Sequence, residues 1–231
     1  MNLDAALLGQ STPLIRWDWI WDHRDDVLDR LLEHLELTVL SVGLGLAVSL
    51  VLALIALRLP RTYGVISGLS GILYTIPSLA AFAFLVPVFG FSTTTAVVPL
   101  ASYTLLILVR SIVEGLRAVP AEVLESADGM GYTRGRRLWT VELPIAMPVI
   151  IGGLRVATVT VVGLVTVTAL IGLGGLGFFI LNGLRRSILF PTEVFLGTVA
   201  AIALAAVLDV LLLGVERLLT PWARRQARQV D

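Results

Sequence analysis

At 231 residues, 57% of them hydrophobic and only 15% charged, with a mean hydropathy of +0.91, this chain is too apolar for a soluble domain, whose apolar share is about 45–50%. It reads as an integral membrane protein of one domain, so any energy source is expected on a separate subunit. Formal net charge is zero, every basic residue is Arg, and the absence of Cys excludes disulfides and thiolate metal sites.

The first apolar run starts only near Leu35, behind an acidic, Trp-rich segment, so a cleaved signal peptide with a basic start is not expected. Trp17, Trp19 and Trp21 alternate with Asp18, Ile20 and Asp22. Trp prefers the membrane interface, which favours a surface anchor over ligand binding. Asp25, Asp26, Asp29, Arg30 and Glu33 fit a solvated helix face. His23 and His34 lie close together in the chain, but no metal site is expected there.

A spanning helix takes about 20 apolar residues. Five are predicted: Leu37 to Leu57, Tyr63 to Val88, Thr95 to Val109, Pro144 to Ile171 and Val194 to Leu213. The third is short unless it runs on through Ile112 and Val113. Within the second, Pro77 removes a backbone hydrogen bond and bends the helix, which is tolerated where neighbouring helices or a cavity satisfy the freed carbonyl. Gly43, Gly45, Gly68 and Gly71 are read as sites of close helix packing. Gly172 to Gly177 leads into an outer helix or re-entrant piece over Gly174 to Arg186.

Arg placement sets the orientation, because short cytoplasmic loops carry the basic excess. Arg58 and Arg61 follow span one; Arg110, Arg117, Arg134, Arg136 and Arg137 lie between spans three and four; Arg217, Arg224, Arg225 and Arg228 follow span five. These regions belong inside. The acidic N-terminus, residues 1–34, belongs outside, residues 35–221 form the transmembrane domain, and residues 222–231 form a basic cytoplasmic tail. Arg185 and Arg186 break the rule, since they fall in an outer connection.

Between spans three and four lies a polar island. A short helix can start at Pro120, stop at Gly129 and Gly131, which tolerate positive φ, and restart at Thr133, a suitable N-cap. Glu125-Ser126-Ala127, three residues, Gly131, nine residues, then Val141-Glu142-Leu143-Pro144 resembles the signature loop of permease subunits of binding-protein-dependent ABC importers. That pattern reads Glu-Ala-Ala, three residues, Gly, nine residues, Ile-x-Leu-Pro; here Ser126 replaces an Ala and Val141 the Ile. The resemblance implies an all-α polytopic membrane fold in the bacterial cytoplasmic membrane. It also implies a coupling loop over about 114–143 whose helix docks on a cytoplasmic ATPase. Glu125, Ser126, Ala127, Asp128, Gly131, Leu143 and Pro144 are the coupling residues so implied. Glu125 would pair with a basic residue of the ATPase, while Ala127 and Gly131 would act by being small.

His34 to Thr38, Tyr74 to Ala80, Ile171 to Gly177 and Glu216 to Pro221 are similar to the osmoprotectant branch, which carries glycine betaine, choline and carnitine. Tyr74 departs from it, standing where Gln is common. The resemblance implies ATPase subunits that bind the ATP and Mg, an external binding protein and a second permease copy or homologue as partners, besides lipid and without nucleic acid. This chain itself has no lysine and therefore no P-loop, and no catalytic constellation. A methionine or other amino-acid permease is the nearest alternative. A secondary transporter or channel, the rival class, predicts charged relays and an inverted repeat, and neither is evident.

Arg155 and Asp209 sit in apolar spans, where an ionisable side chain costs about 2.5–3.5 kcal/mol at the bilayer centre. They need partners, and a structural ion pair is favoured over substrate contact. A methylated ammonium can pass aromatic faces by cation–π attraction, which makes Tyr74, Phe82 and Tyr103 candidates for the substrate path.

Overall fold

The computed structural model describes residues 14–186 and 191–222. Every regular element among these residues is helical. A six-residue helix, α1 (Trp17–Asp22), leads into α2 (Arg24–Arg58). At 1.5 Å per residue the 35 residues of α2 reach about 52 Å, well beyond a hydrocarbon core of about 30 Å. The excess is the charged N-terminal stretch from Asp25 to Glu33, which can therefore project past the membrane.

The second predicted span is two helices, α3 (Thr62–Thr75) and α4 (Ser78–Phe89), which meet at 92°. This is a right-angle break and exceeds the bend expected from Pro77. Pro77 has no N–H to give, so the Leu73 carbonyl accepts from Ile76 N–H at 3.3 Å, and at the break the Tyr103 hydroxyl donates to the Ile76 carbonyl, at 2.7 Å. The third span, α5 (Thr93–Arg117), does run on through Ile112 and Val113. Arg110 does not end it, because its side chain leaves sideways to donate to Ser67 Oγ at 3.2 Å.

Helix α5 is the centre of the fold. At one end Val109, Ile112, Val113 and Leu116 pack with Ala53, Ala56, Ala146 and Ile150; at the other, Ala96 and Leu100 pack with Leu37, Phe82, Val161, Val165 and Ile171. The approach of α2 is close, since a Cβ at Gly45 would collide with Thr104. Gly43, Gly68 and Gly71 have no neighbour within 4 Å of that position, so packing inside the chain does not account for them.

The island supplies α6 (Ala121–Gly129) and α7 (Arg134–Arg137). A π-helical turn over Leu138–Glu142 then runs into α8 (Leu143–Val165), continued by a 3-10 stretch to Ile171. After the glycine-rich turn come α9 (Gly177–Arg186) and α10 (Pro191–Leu219). Among the described residues four helices, or five spans if the broken pair is one, are long and apolar enough to cross a membrane.

Arg186, which the charge rule leaves unexplained, has a local partner. It donates to Glu193, which is 1% exposed and also accepts from Asn182, at 3.0 and 2.8 Å. The guanidinium balances a buried carboxylate that ties α9 to α10. Arg224, Arg225 and Arg228 lie outside the described residues.

Candidate functional site

Pro120, with extended ψ, caps α6 and Ala121 is its first helical residue. Gly129 ends α6 without a positive φ. Only Gly131 takes the left-handed conformation, at φ +80°. Its N–H reaches the Asp128 carbonyl at 2.9 Å, and Tyr132 N–H reaches Ala127 at 3.1 Å, so the last carbonyls of α6 are satisfied by the turn. Thr133 then caps α7, accepting from Arg136 N–H at 3.4 Å.

Glu125, Met130, Arg134, Arg136 and Trp139 are exposed, a mixed charged and apolar surface on the loop. Ser126 is exposed too, but its hydroxyl turns back to the Glu122 carbonyl at 2.7 Å. Ala127 is 1% exposed, so its small size serves packing within this chain. No atom lies within 4 Å of a Cβ at Gly131, so the glycine is needed for its backbone angle. Leu143 packs against the core around Ile112, and Pro144 sits in the first turn of α8.

Asp128 faces its own chain. Arg137 Nη1 donates to Asp128 Oδ2 at 2.6 Å and Nε to Glu142 Oε1 at 2.8 Å. Sequence reasoning had no claim on Arg137. It stands in a basic run that reads as topology signal, and only the turn at Gly131 shows which Arg meets the carboxylates.

The intramembrane charges do meet. Arg155 Nε and Nη2 each donate to Asp209 at 2.8 Å in a bidentate pair, and Nη1 lies 3.5 Å from Glu216. Arg155 is about 18 Å along α8 from Leu143. The side chains are 27% and 33% exposed in a single chain and border a groove with Gly152, Val159 and Thr160.

The three aromatic candidates separate. Phe82 is fully buried in the core and its ring meets no open space in the single chain. Tyr103 is buried and braces the helix break. Tyr74 is 42% exposed and lies edge-on to Tyr103, with ring centres 6.2 Å apart. His34 is fully buried as well. Its Nδ1 accepts from Leu176 N–H at 3.3 Å, which puts the proton on Nε2 to donate to Val162 O at 3.1 Å, so it joins α2, α8 and the glycine-rich turn. Among the described residues no cluster of His, Asp and Glu could hold a metal ion.

Residues 45–225 match the model of the binding-protein-dependent transport system inner membrane component family. The chain belongs to this family. The permease is 35% identical to the choline transport system permease protein OpuBB of Bacillus subtilis, over 89% of this chain and 94% of that one. It is 36% identical to the carnitine transport permease protein OpuCB of Listeria monocytogenes, over 85% and 89%, and 36% identical to the osmoprotectant import permease protein OsmW of Salmonella typhimurium, over 82% and 89%. The fold is similar to that of a chain from a structure of the MetNI methionine ABC transporter in inward-facing conformations, with a TM-score of 0.73 at 20% identity over 89% of this chain and all of that one.

Proposed function

We propose that this permease is the translocation subunit of an ATP-driven importer for choline, carnitine, glycine betaine and related compatible solutes. What carries the reading is near-full-length similarity to permeases named for those solutes. The methionine transporter is similar in fold at 20% identity, which bears on architecture and not on substrate.

In this reading the N-terminus lies outside and the C-terminus inside the cytoplasmic membrane. A separate ATPase binds ATP and Mg, and it docks on the surface around Glu125, Met130 and Trp139. An external binding protein delivers the solute to the outer face, and a second permease copy or homologue completes the path. ATP-driven movement of the coupling helix then opens one side and closes the other, and direction follows from unequal binding of the solute in the two states. Tyr74, the exposed aromatic at the helix break, is the path residue we favour for a methylated ammonium.

Uptake of labelled glycine betaine, choline and carnitine in cells that lack other carriers, at raised osmotic strength with the complete system expressed, tests the substrate. Uptake of methionine with none of the three would leave an importer but remove the osmoprotectant reading. Orientation is tested at Phe91, which is exposed, whereas Ser92 caps α5. Phe91→Cys should react with an impermeant thiol reagent from outside only.

A further inference from the structure

The coupling helix α6 is a short element with one buried residue, Ala127, and it ends at Gly129, with Met130 and Gly131 following. Such a connection is a hinge. Gly131 has the most permissive backbone of any residue and no atom lies within 4 Å of where its Cβ would sit, so α6 is held against the span that follows by the buried Ala127, the hydrogen bonds of the turn and the side chains that cross it. A helix that pivots on its own loop cannot push that span.

One side chain bridges the hinge. Arg137 holds Asp128 in the last turn of α6 and Glu142 at the end of the π-helical turn, the residue immediately before Leu143 opens α8. Its planar guanidinium presents separate N–H groups to the two carboxylates, a geometry that the point charge of a Lys cannot reproduce. Without Arg137 the two carboxylates would remain near one another, unpaired and mutually repelling. The same residue therefore draws the two elements together and suppresses a force that separates them.

We infer that Arg137 is a positioning residue that clamps the coupling helix to the start of α8, so that displacement of α6 by the ATPase is delivered to the span as a rigid-body movement. Asp128 acts inside the clamp and does not contact the ATPase. The mechanical consequence rests on the importer reading, whereas the clamp itself can be measured without it.

The clamp is tested first on the full-length permease in nanodiscs, with spin labels at the exposed positions Glu122→Cys on α6 and Ile145→Cys on α8. The label distance should be narrowly distributed in the parent and broad after Arg137→Gln or Asp128→Asn. Equal widths would overturn the clamp whatever the protein transports. Asp128→Asn breaks the link from the other side, so the test stands if Arg137→Gln fails to fold.

The second test uses the complete importer in proteoliposomes. Arg137→Gln should co-purify with the ATPase at parental yield, while solute transported per ATP hydrolysed falls about 5-fold, the low end of ordinary coupling between sites. Arg137→Lys should fall between the two. Combining Arg137→Gln with Asp128→Asn should cost no more than either alone, since both remove one interaction. An unchanged transport ratio, or losses that multiply in the double variant, would overturn the inference. A parent complex that hydrolyses ATP without moving any solute would instead count against the importer reading, and the label distances would still decide the clamp.

Discussion

The permease contains the same small device twice, one Arg held between two carboxylates, in two different solvents. Arg137 joins Asp128 and Glu142 in the polar loop, while Arg155 joins Asp209 and Glu216 within the spans. In the loop, water reaches Asp128, whose side chain is 54% exposed, so that arm of the cluster is cheap to break and its value lies in geometry, whereas Glu142 is 16% exposed and leans more on Arg137. At bilayer depth no such substitute exists. There the cluster is a condition for inserting α8 and α10 side by side, because each charged side chain is tolerable only in the presence of the other.

The largest effect should follow from breaking the inner cluster by half. Arg155→Leu leaves Asp209 and Glu216 uncompensated, and the amount of folded permease recovered from membranes should collapse, as judged by monodisperse yield. Arg137→Leu, the matching change in the loop, should lower that yield much less, since the Asp128 side chain is 54% exposed. Equal losses for the two would erase the distinction.

Next in size is the rescue. Replacing a buried pair by apolar residues of similar bulk is often neutral, since desolvation offsets much of the attraction. Arg155→Met with Asp209→Leu should therefore recover most of the yield lost with Arg155→Leu, leaving Glu216 nearer the inner surface. If the double variant is as poor as the single one, the pair does more than satisfy charge, and its groove beside Thr160 becomes a candidate part of the path.

The cluster within the spans was legible in the sequence and the loop cluster was not, for a physical reason. An isolated Arg or Asp in an apolar run announces its need for a partner, and only one such candidate stood on each of two spans. In a polar loop, Arg134, Arg136 and Arg137 look alike. What distinguishes Arg137 is a backbone turn at φ +80° that no pattern of residue types specifies. The spans follow the same division. Hydropathy located all of them, yet Arg110 masked the extension of α5, and the right angle between α3 and α4 is braced by the Tyr103 hydroxyl reaching Ile76, a contact 27 residues apart.

Gly131 offers a smaller perturbation of the loop alone. Because space around it is open, size should matter less than backbone preference. Asn adopts left-handed angles more readily than a β-branched residue. Gly131→Asn should retain most of the ATPase co-purification and Gly131→Val should lose more. The opposite order would point to a steric contact with the partner in place of backbone strain.

The smallest effect, and the sharpest reading of the comparison, comes from salt. Raising ionic strength from 0.1 M to 1 M shortens the Debye length from about 10 Å to about 3 Å, which screens charges in water but barely reaches those within a bilayer. The label distance between Glu122→Cys and Ile145→Cys should broaden at high salt and approach that of Arg137→Gln, which itself should not change. A second label pair, at the exposed Val156→Cys on α8 and Ile202→Cys on α10, reports on the two helices that carry the inner cluster and should keep its width throughout. Broadening of both pairs would mean that water reaches Arg155 and that its groove is part of a hydrated path. Broadening of neither would mean that the Arg137 clamp is held by packing and not by charge, and the two clusters would then be alike after all.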